Sequence, residues 1–198
     1  MLAALRVTIE RTRRLDNRSP MPSSIPRPWL ALAAAALLAA CSPTFNWREV
    51  PIAESGLVAL LPCKADRADR ALPLGAESVR VDMTGCEAGG ATFAIAHASA
   101  NGPAQAEAWL GAWRAATRGQ IALQGDRPVL ERPATVQRAT ATPAPLQLEA
   151  AQGASPVQIL WFAQSQKDGT VALYQATVLG KPSSAEASKT FFEGLRLP

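Results

Sequence analysis

Residues 78–98 read SVRVDMTGCEAGGATFAIAHA, and this stretch indicates the fold class most directly. Apolar and polar residues alternate over 78–84, which is the period of a strand with one buried face. Residues 85–90 are rich in glycine, which accepts the backbone of a tight turn at no steric cost. The apolar run over 91–98 then returns as a partner strand. The stretch therefore predicts an antiparallel hairpin that carries Cys86 in its loop.

A second hairpin is predicted towards the C-terminus. Residues 157–164 (VQILWFAQ) and 171–179 (VALYQATVL) are apolar runs separated by an Asp-Gly dipeptide at 168–169, which is common in hairpin turns. The run over 56–63 (GLVALLPC) predicts another buried strand. Residues 64–70 (KADRADR) alternate in charge sign and predict a solvated loop.

Two helices are predicted from spacing and capping residues. The first begins at Asn101 and ends at Arg118, just before a glycine. It keeps Trp109 and Trp113 on one face, which indicates packing against the sheet. The second follows Ser183, which forms a capping-box pattern with a glutamate three residues later. The stretch between the first helix and the second hairpin is rich in proline and predicts only short edge strands.

The element order is strand, hairpin, helix, weak strands, hairpin, helix. Hairpins outnumber crossovers, which predicts an α+β fold with a largely antiparallel sheet and two packed helices. The order ends in a long hairpin and a helix with Phe191-Phe192 near its end, and it resembles the PsbP-like fold of small periplasmic and lumenal proteins. That resemblance implies a sandwich that serves as an assembly factor or a subunit.

The N-terminal region indicates where the protein resides. Residues 29–40 (WLALAAAALLAA) form an apolar run of about 18 Å as a helix, too short for the ~30 Å hydrocarbon layer. Such a run after Arg27, closed by small residues, is typical of a secretory signal. The closing residues, Leu38-Ala39-Ala40-Cys41, resemble the lipobox of bacterial lipoproteins. That resemblance implies cleavage before Cys41 and acylation of its thiol and new amino group.

The same resemblance sets the expected domain plan. Residues 1–40 would be a signal peptide, with translation starting at Met21 because the preceding segment is arginine-rich and distant from the apolar run. Residues 41–52 would be a short lipidated tether, and residues 53–198 a single periplasmic α+β domain. Ser42 follows the lipidated position and implies the outer membrane, with the inner membrane left open. A signal peptide cut elsewhere and a retained membrane anchor are the alternatives.

The distribution of charge excludes one class of function. The formal net charge is +4, but the first 40 residues carry six arginines against two acidic residues, so the remainder is neutral. Aromatic and basic residues are not interleaved. The sequence therefore predicts no nucleic-acid partner.

The chain contains three cysteines, and the lipobox resemblance assigns Cys41 to the lipid. The other two, Cys63 and Cys86, would face an oxidising compartment, where an even number of cysteines predicts a disulfide. Two free thiols, a redox pair or a metal site are the alternatives. A redox pair usually has C-x-x-C spacing, and a metal would need more ligands than the single His97 adds.

Motifs for catalysis and cofactor binding are missing from the sequence. It contains no G-x-S-x-G, G-x-x-x-x-G-K-[ST] or G-x-G-x-x-G, so no cofactor is predicted. His97 shares the parity of inward-facing strand residues, which indicates a hydrogen-bonded structural histidine, with a catalytic role as the alternative. Asp66 and Asp69 lie among basic residues and are interpreted as neutralised surface charges.

Three functions are compatible with these features. The first is a non-enzymatic lipoprotein, held at the membrane through Cys41, whose domain binds or assists other envelope proteins. The second is a binder of small apolar ligands or lipids, with Trp109, Trp113 and Trp161 lining a cleft between sheet and helix. The third is a hydrolase that uses His97 with a serine or aspartate. The sequence favours the first, because it accounts for the lipobox, the cysteine pair and the missing motifs.

Overall fold

Most strands of the protein join one sheet that is covered on both faces. A computed structural model describes residues 44–54, 56–123, 125, 128–151 and 155–198. The strands of these residues are β1 Arg48–Ile52, β2 Leu57–Leu61, β3 Asp66–Leu74, β4 Glu77–Ala88, β5 Ala91–Ala100, β6 Leu130–Pro133, β7 Leu146–Ala150, β8 Val157–Ser165 and β9 Val171–Gly180. The helices of these residues are α1 Pro103–Leu123 and α2 Ala185–Glu193.

The pairing of the strands confirms the predicted fold class. Seven strands pair in the order β3-β4-β5-β9-β8-β7-β6, while β1 and β2 form a separate hairpin. Every pair is antiparallel. The described residues thus have an α+β fold with a largely antiparallel sheet and two helices packed on it.

Each face of the large sheet has its own apolar cluster. On one face α1 packs through residues such as Trp113, and on the other the β1–β2 hairpin and α2 pack through residues such as Leu57 and Phe191. Consecutive residues of a central strand serve opposite clusters, as Leu173 and Tyr174 of β9 do. Because both faces are covered, β8 and β9 are largely apolar, which explains the long apolar runs in the sequence.

The hairpin predicted over residues 78–98 is confirmed, with a tighter turn. The ladder of β4 and β5 continues up to Gly89-Gly90, so Cys86 lies in a strand rather than in the loop. Gly89 has a φ of +57°, and a Cβ built there would lie 2.5 Å from Cζ of Phe45. The backbone conformation and the close neighbour both require glycine at this turn.

Three local predictions are wrong for identifiable reasons. Residues 64–70 lie mostly in β3, whose charged side chains are exposed because β3 is an outer strand of the sheet. Helix α1 continues past Gly119 to Leu123, since one glycine costs a helix only about 1 kcal/mol. Helix α2 begins after Ser184, whose side chain makes no capping hydrogen bond, so Ser183 is not the cap.

The predicted tether of residues 41–52 is partly folded. Its last five residues form β1, which pairs with β2. Before it, the rings of Phe45 and Trp47 lie 6.5 and 6.3 Å from the ring of Phe93 in β5. The boundary at residue 53 is therefore too late, because from Phe45 onwards the chain packs on the sheet.

Residues 1–43 lie outside the described residues, and with them the predicted signal peptide, the start at Met21, the lipidated Cys41 and Ser42. Their assignment stays a prediction. Neither of the two helices in the described part of the chain combines the length and the apolar composition needed to cross a bilayer.

The predicted disulfide between Cys63 and Cys86 is present. Cys63 follows β2, and Cys86 lies in β4, so the bond ties the β1–β2 layer to the large sheet. The pair is therefore not available as free thiols or as metal ligands.

Candidate interaction site at a fork in the sheet

The sheet opens between β4 and β5 at one end. The ladder of these two strands stops at the Asp82–His97 pair, although β4 extends on to Glu77 and β5 to Ala100. Beyond that pair, β4 stays with β3 and β5 stays with β9. A cavity of about 380 Å³ lies between the diverging segments. We call this opening, bounded by residues 77–82 and 97–100, the fork.

His97 lies at the base of the fork, in a row that crosses five strands. The row joins residues that are paired across β3, β4, β5, β9 and β8, namely Asp69, Asp82, His97, Tyr174 and Phe162. The ring of His97 lies 5.4 Å from that of Tyr174, which in turn stacks at 4.9 Å on Phe162. The row thus passes from exposed carboxylates to a buried aromatic stack, with His97 at the boundary.

The imidazole of His97 is buried and has little polar compensation. Its side chain is only 10% exposed, and Nδ1 lies 3.8 Å from Oδ2 of Asp82. Neither ring nitrogen has a hydrogen-bond partner among the described residues. Burial lowers the pKa of His97 below its usual 6.5, and the charge of Asp82 opposes this only in part. His97 is therefore neutral at pH 7.

The carboxylate of Asp82 belongs to a short chain of charges on the sheet surface. Arg80 Nε lies 3.3 Å from Asp82 Oδ1, and Arg80 NH2 lies 3.3 Å from Oδ1 of Asp69. All three side chains are about half or more exposed, so these ion pairs add little to stability. The interpretation of Asp69 as a neutralised surface charge agrees with this geometry.

Glu77 closes the fork from the side of α1. It accepts a hydrogen bond of 3.0 Å from Trp109 Nε1 and weaker bonds of 3.3 Å from Gln105 Nε2. These bonds hold the end of the β3–β4 hairpin against α1.

His97 has no nucleophilic side chain hydrogen bonded to it among the described residues. In the described part of the chain, no hydroxyl or thiol hydrogen bonds to His97, so no nucleophile is paired with a base. Ser99 borders the same cavity but forms no hydrogen bond with the ring. The described residues also contain no group of three or more His, Cys, Asp or Glu placed to hold a metal.

The three tryptophans predicted to line a ligand cleft are packed in the core under α1. Trp109, Trp113 and Trp161 are 8%, 4% and 0% exposed. Trp161 Nε1 donates to Oε1 of Gln175 at 2.9 Å, which satisfies the only polar atom of its ring. Helix and sheet thus meet through these rings, and Trp109 also borders the fork cavity. A ligand cleft lined by all three tryptophans stays a prediction.

A second open region lies on the opposite face from α1. A groove of about 800 Å³ runs between residues 133–138 and the segment after α2, with Leu160, Leu195 and Leu197 on its floor. Arg138 at its border donates to the carbonyl oxygen of Leu197 at 3.4 Å. This groove offers open space to an apolar ligand.

Comparison of the chain with protein-family models and with curated proteins finds no match. The lipobox and PsbP-like resemblances therefore rest on the residues quoted for them.

Sequence reasoning found His97 but missed Asp82, its cross-strand partner, and Glu77, which borders the same cavity. The pairing of Asp82 with His97 could have been predicted from the turn. With Gly89-Gly90 as the two loop residues, counting outward along both strands pairs Asp82 with His97, as observed. The divergence of the two strands beyond that pair has no signal in the local sequence.

Proposed function

We propose that this protein is a membrane-anchored envelope lipoprotein whose folded domain is a non-enzymatic interaction module. The observation that carries the proposal is the fork, a polar and incompletely paired opening in which the only histidine has no nucleophile beside it. The proposed anchor is Cys41, in the outer membrane and facing the periplasm. The disulfide agrees with an oxidising compartment.

The packing of Phe45 supports a close attachment of the domain to the membrane. Four peptide steps separate Cys41 from Phe45, a reach of at most about 14 Å. Phe45 packs beside Gly89, at the turn end of the β4–β5 hairpin. A lipid on Cys41 would therefore hold that end of the sheet near the bilayer.

The fork lies at the other end of the same hairpin, which favours a role in binding. His97 is six residues along β5 from Ala91, about 20 Å at the rise of a strand. With the turn end held at the membrane, the fork would face away from the bilayer towards soluble or membrane-bound partners.

Intact mass measurement of protein purified from the membrane fraction tests the anchor. We expect a chain beginning at Cys41, carrying acyl groups, with Cys63 and Cys86 alkylated only after reduction. The matched variant Cys41→Ser should leave the membrane fraction and keep its disulfide. An unlipidated Cys41, or a mass that retains residues 1–40, would overturn the proposal.

Site-specific photocrosslinking in cells tests the interaction module. A photoreactive residue at Ser99, in the fork, should give discrete adducts with defined proteins that are identified by mass spectrometry. The same residue at Glu87, near the turn end, serves as the matched control and should not give these adducts. Equal adduct patterns from both positions would contradict a binding role for the fork.

The groove beside α2 supports a second candidate function, the binding of a small apolar ligand or lipid. Phe192 lines it beside the apolar floor. Binding of the fluorescent fatty acid cis-parinaric acid should then be lost in Phe192→Asp and kept in Ser99→Asp, which alters the fork. Binding that survives Phe192→Asp, or no binding by the unaltered protein, rejects this function.

A further inference from the structure

Large apolar side chains that remain exposed are concentrated at one end of the fold. Among the described residues they are Leu123, Val129, Leu130 and Leu179, with exposed fractions of 88%, 42%, 57% and 42%. Single exposed apolar residues are common on protein surfaces, whereas a group of them is typical of contact with another surface. None of the four borders the cavity of the fork.

The strand pairing places Leu179 next to the turn of the β4–β5 hairpin. Leu179 pairs with Thr92, two residues after that turn, and borders a cavity of about 430 Å³ together with Gly89 and Gly90. Its other cross-strand partner is Val157, which packs in the α1 cluster. Because directly paired residues point to the same face of a sheet, Leu179 lies on the α1 face at the turn end.

The outer strand β6 places two more of these residues at the same end. Leu130 pairs with Glu149, and Glu149 pairs with Gln158, which is one position further from the end than Val157. Val129 directly precedes Leu130 and so lies one position closer to the end. Three strand spacings, roughly 14 Å, separate β6 from β9.

Helix α1 runs towards the turn end and brings Leu123 there. Near the start of the helix Trp109 bonds to Glu77 beside the fork, whereas later in the helix Arg118 bonds to Glu131 of β6. Leu123 lies five residues beyond Arg118, about 7.5 Å further along the helix axis. The four exposed apolar residues thus lie along one end of the fold, and we call them the apolar rim.

The proposed anchor reaches the same end of the fold. Phe45 packs beside Gly89, and at most about 14 Å of chain separates it from Cys41. A lipid on Cys41 would therefore bring the surface of a bilayer within reach of the apolar rim. The exposed charged side chains next to the end strands, Glu87 and Lys181, have opposite signs, so an apolar attraction is favoured over an electrostatic one.

We propose that the apolar rim inserts into the surface of the lipid bilayer to which Cys41 anchors the protein. Leu123 and Leu179 would enter the boundary between headgroups and acyl chains, where burial of their side chains is favourable. The contact would fix the orientation of the domain and direct the fork away from the bilayer. This inference names the lipid surface as the partner of the turn end and rests on the proposed anchor.

A fluorescent probe at Leu123 provides the test. The protein, purified from the membrane fraction, would be reconstituted into phosphatidylcholine vesicles. In Leu123→Cys the new thiol is the only reactive one, because Cys63 and Cys86 form a disulfide and Cys41 carries the lipid. Labelled there with nitrobenzoxadiazole, the protein should emit at shorter wavelength than in water. It should lose emission when the vesicles contain phosphatidylcholine with a spin label on the acyl chain.

Matched variants show whether the rim itself makes the contact. The same probe in Lys167→Cys, in the β8–β9 turn at the opposite end, should behave as in water and keep its emission. Adding Leu179→Ser to the Leu123 probe should reduce quenching by the spin-labelled lipid, whereas adding Ala104→Ser, at the exposed start of α1, should not. These replaced side chains are exposed, and circular dichroism checks that each variant is folded.

Flotation of the vesicles separates the possible failures. Protein that floats with the vesicles but gives the same emission at positions 123 and 167 overturns this inference alone. A probe at position 123 that is shielded from aqueous iodide but not quenched by the spin-labelled lipid would indicate a second copy of the chain on the rim, and it also overturns the inference. Protein that does not float with the vesicles rejects the anchor, and with it the inference that depends on the anchor.

Discussion

At the scale of single residues, the opposing effects of burial and of Asp82 on His97 can be measured directly. Burial lowers the pKa of His97, and the negative charge of Asp82 raises it, with burial the larger effect. We predict a pKa below 6.5 in the unaltered protein and a still lower pKa in Asp82→Asn. A resonance titration of the single imidazole gives both values, with Glu186→Gln as the control. A higher pKa in Asp82→Asn would contradict this geometry.

The same histidine makes stability depend on pH in a defined window. The folded protein binds the His97 proton more weakly than the unfolded chain does, so stability is fully present above pH 6.5 and falls as the pH is lowered through the folded pKa. The groups that face the ring are Asp82 from β4 and Tyr174 from β9. The loss has a slope of at most about 1.4 kcal/mol per pH unit.

Denaturant unfolding between about pH 7.5 and about pH 5.5 checks this prediction. The unaltered protein should lose stability over that range, and His97→Gln should lose much less. The pKa of Glu131 is lowered from its usual 4.5, chiefly by the hydrogen bond to Arg118. Its carboxylate therefore stays charged over this pH range and does not contribute to the change in stability. Identical slopes for both proteins would show that another group is responsible.

At the scale of elements, two glycines differ in whether their position requires a glycine. Gly119 lies in α1 with nothing within 4 Å of the position where a Cβ would be, whereas Gly89 has a positive φ and touches Phe45. We predict that Gly119→Ala stabilises the protein by about 0.5–1 kcal/mol. Gly89→Ala should destabilise it by about 1–3 kcal/mol.

Thermal and denaturant unfolding of both variants test the contrast, with Gly111→Ala as a control in open space on the same helix. Gly111→Ala should behave like Gly119→Ala. If Gly89→Ala leaves the free energy of unfolding unchanged, Phe45 does not pack tightly against this turn. The proposal that the domain is held close to the membrane would then lose the contact on which it rests.

The sequence predicts elements of this fold far better than it predicts their arrangement. Both long hairpins and both helices could be read from apolar spacing and turn residues, because those signals are local. The exposed strand β3 was missed because an outer strand with charges on both faces has no apolar alternation to detect. The contact of Glu77 with Trp109 at the side of the fork could not be predicted, because the two residues lie 32 positions apart in the chain.

At the scale of the whole molecule, the disulfide joins two layers that pack through an apolar cluster and through a hydrogen bond of 2.9 Å from Arg67 of β3 to the carbonyl oxygen of Pro51 in β1. The β1–β2 hairpin packs on the large sheet through residues such as Ile52 and Leu57, and the Cys63–Cys86 bond closes a chain segment of 23 residues between them. In the chain-entropy model a closed segment of this length contributes about 3 kcal/mol.

We therefore predict that Cys63→Ala/Cys86→Ala lowers the free energy of unfolding by about 3 kcal/mol while the fold is kept. Reduction of the unaltered protein should have a similar effect, and the reductant should not change the double variant further. The resonances of His97 should remain in place, because β4 and β5 stay paired from Asp82 to Ala88 without the bond. Loss of the cooperative unfolding transition, or movement of the His97 resonances in the folded protein, would instead show that the disulfide is needed for the structure of the fork.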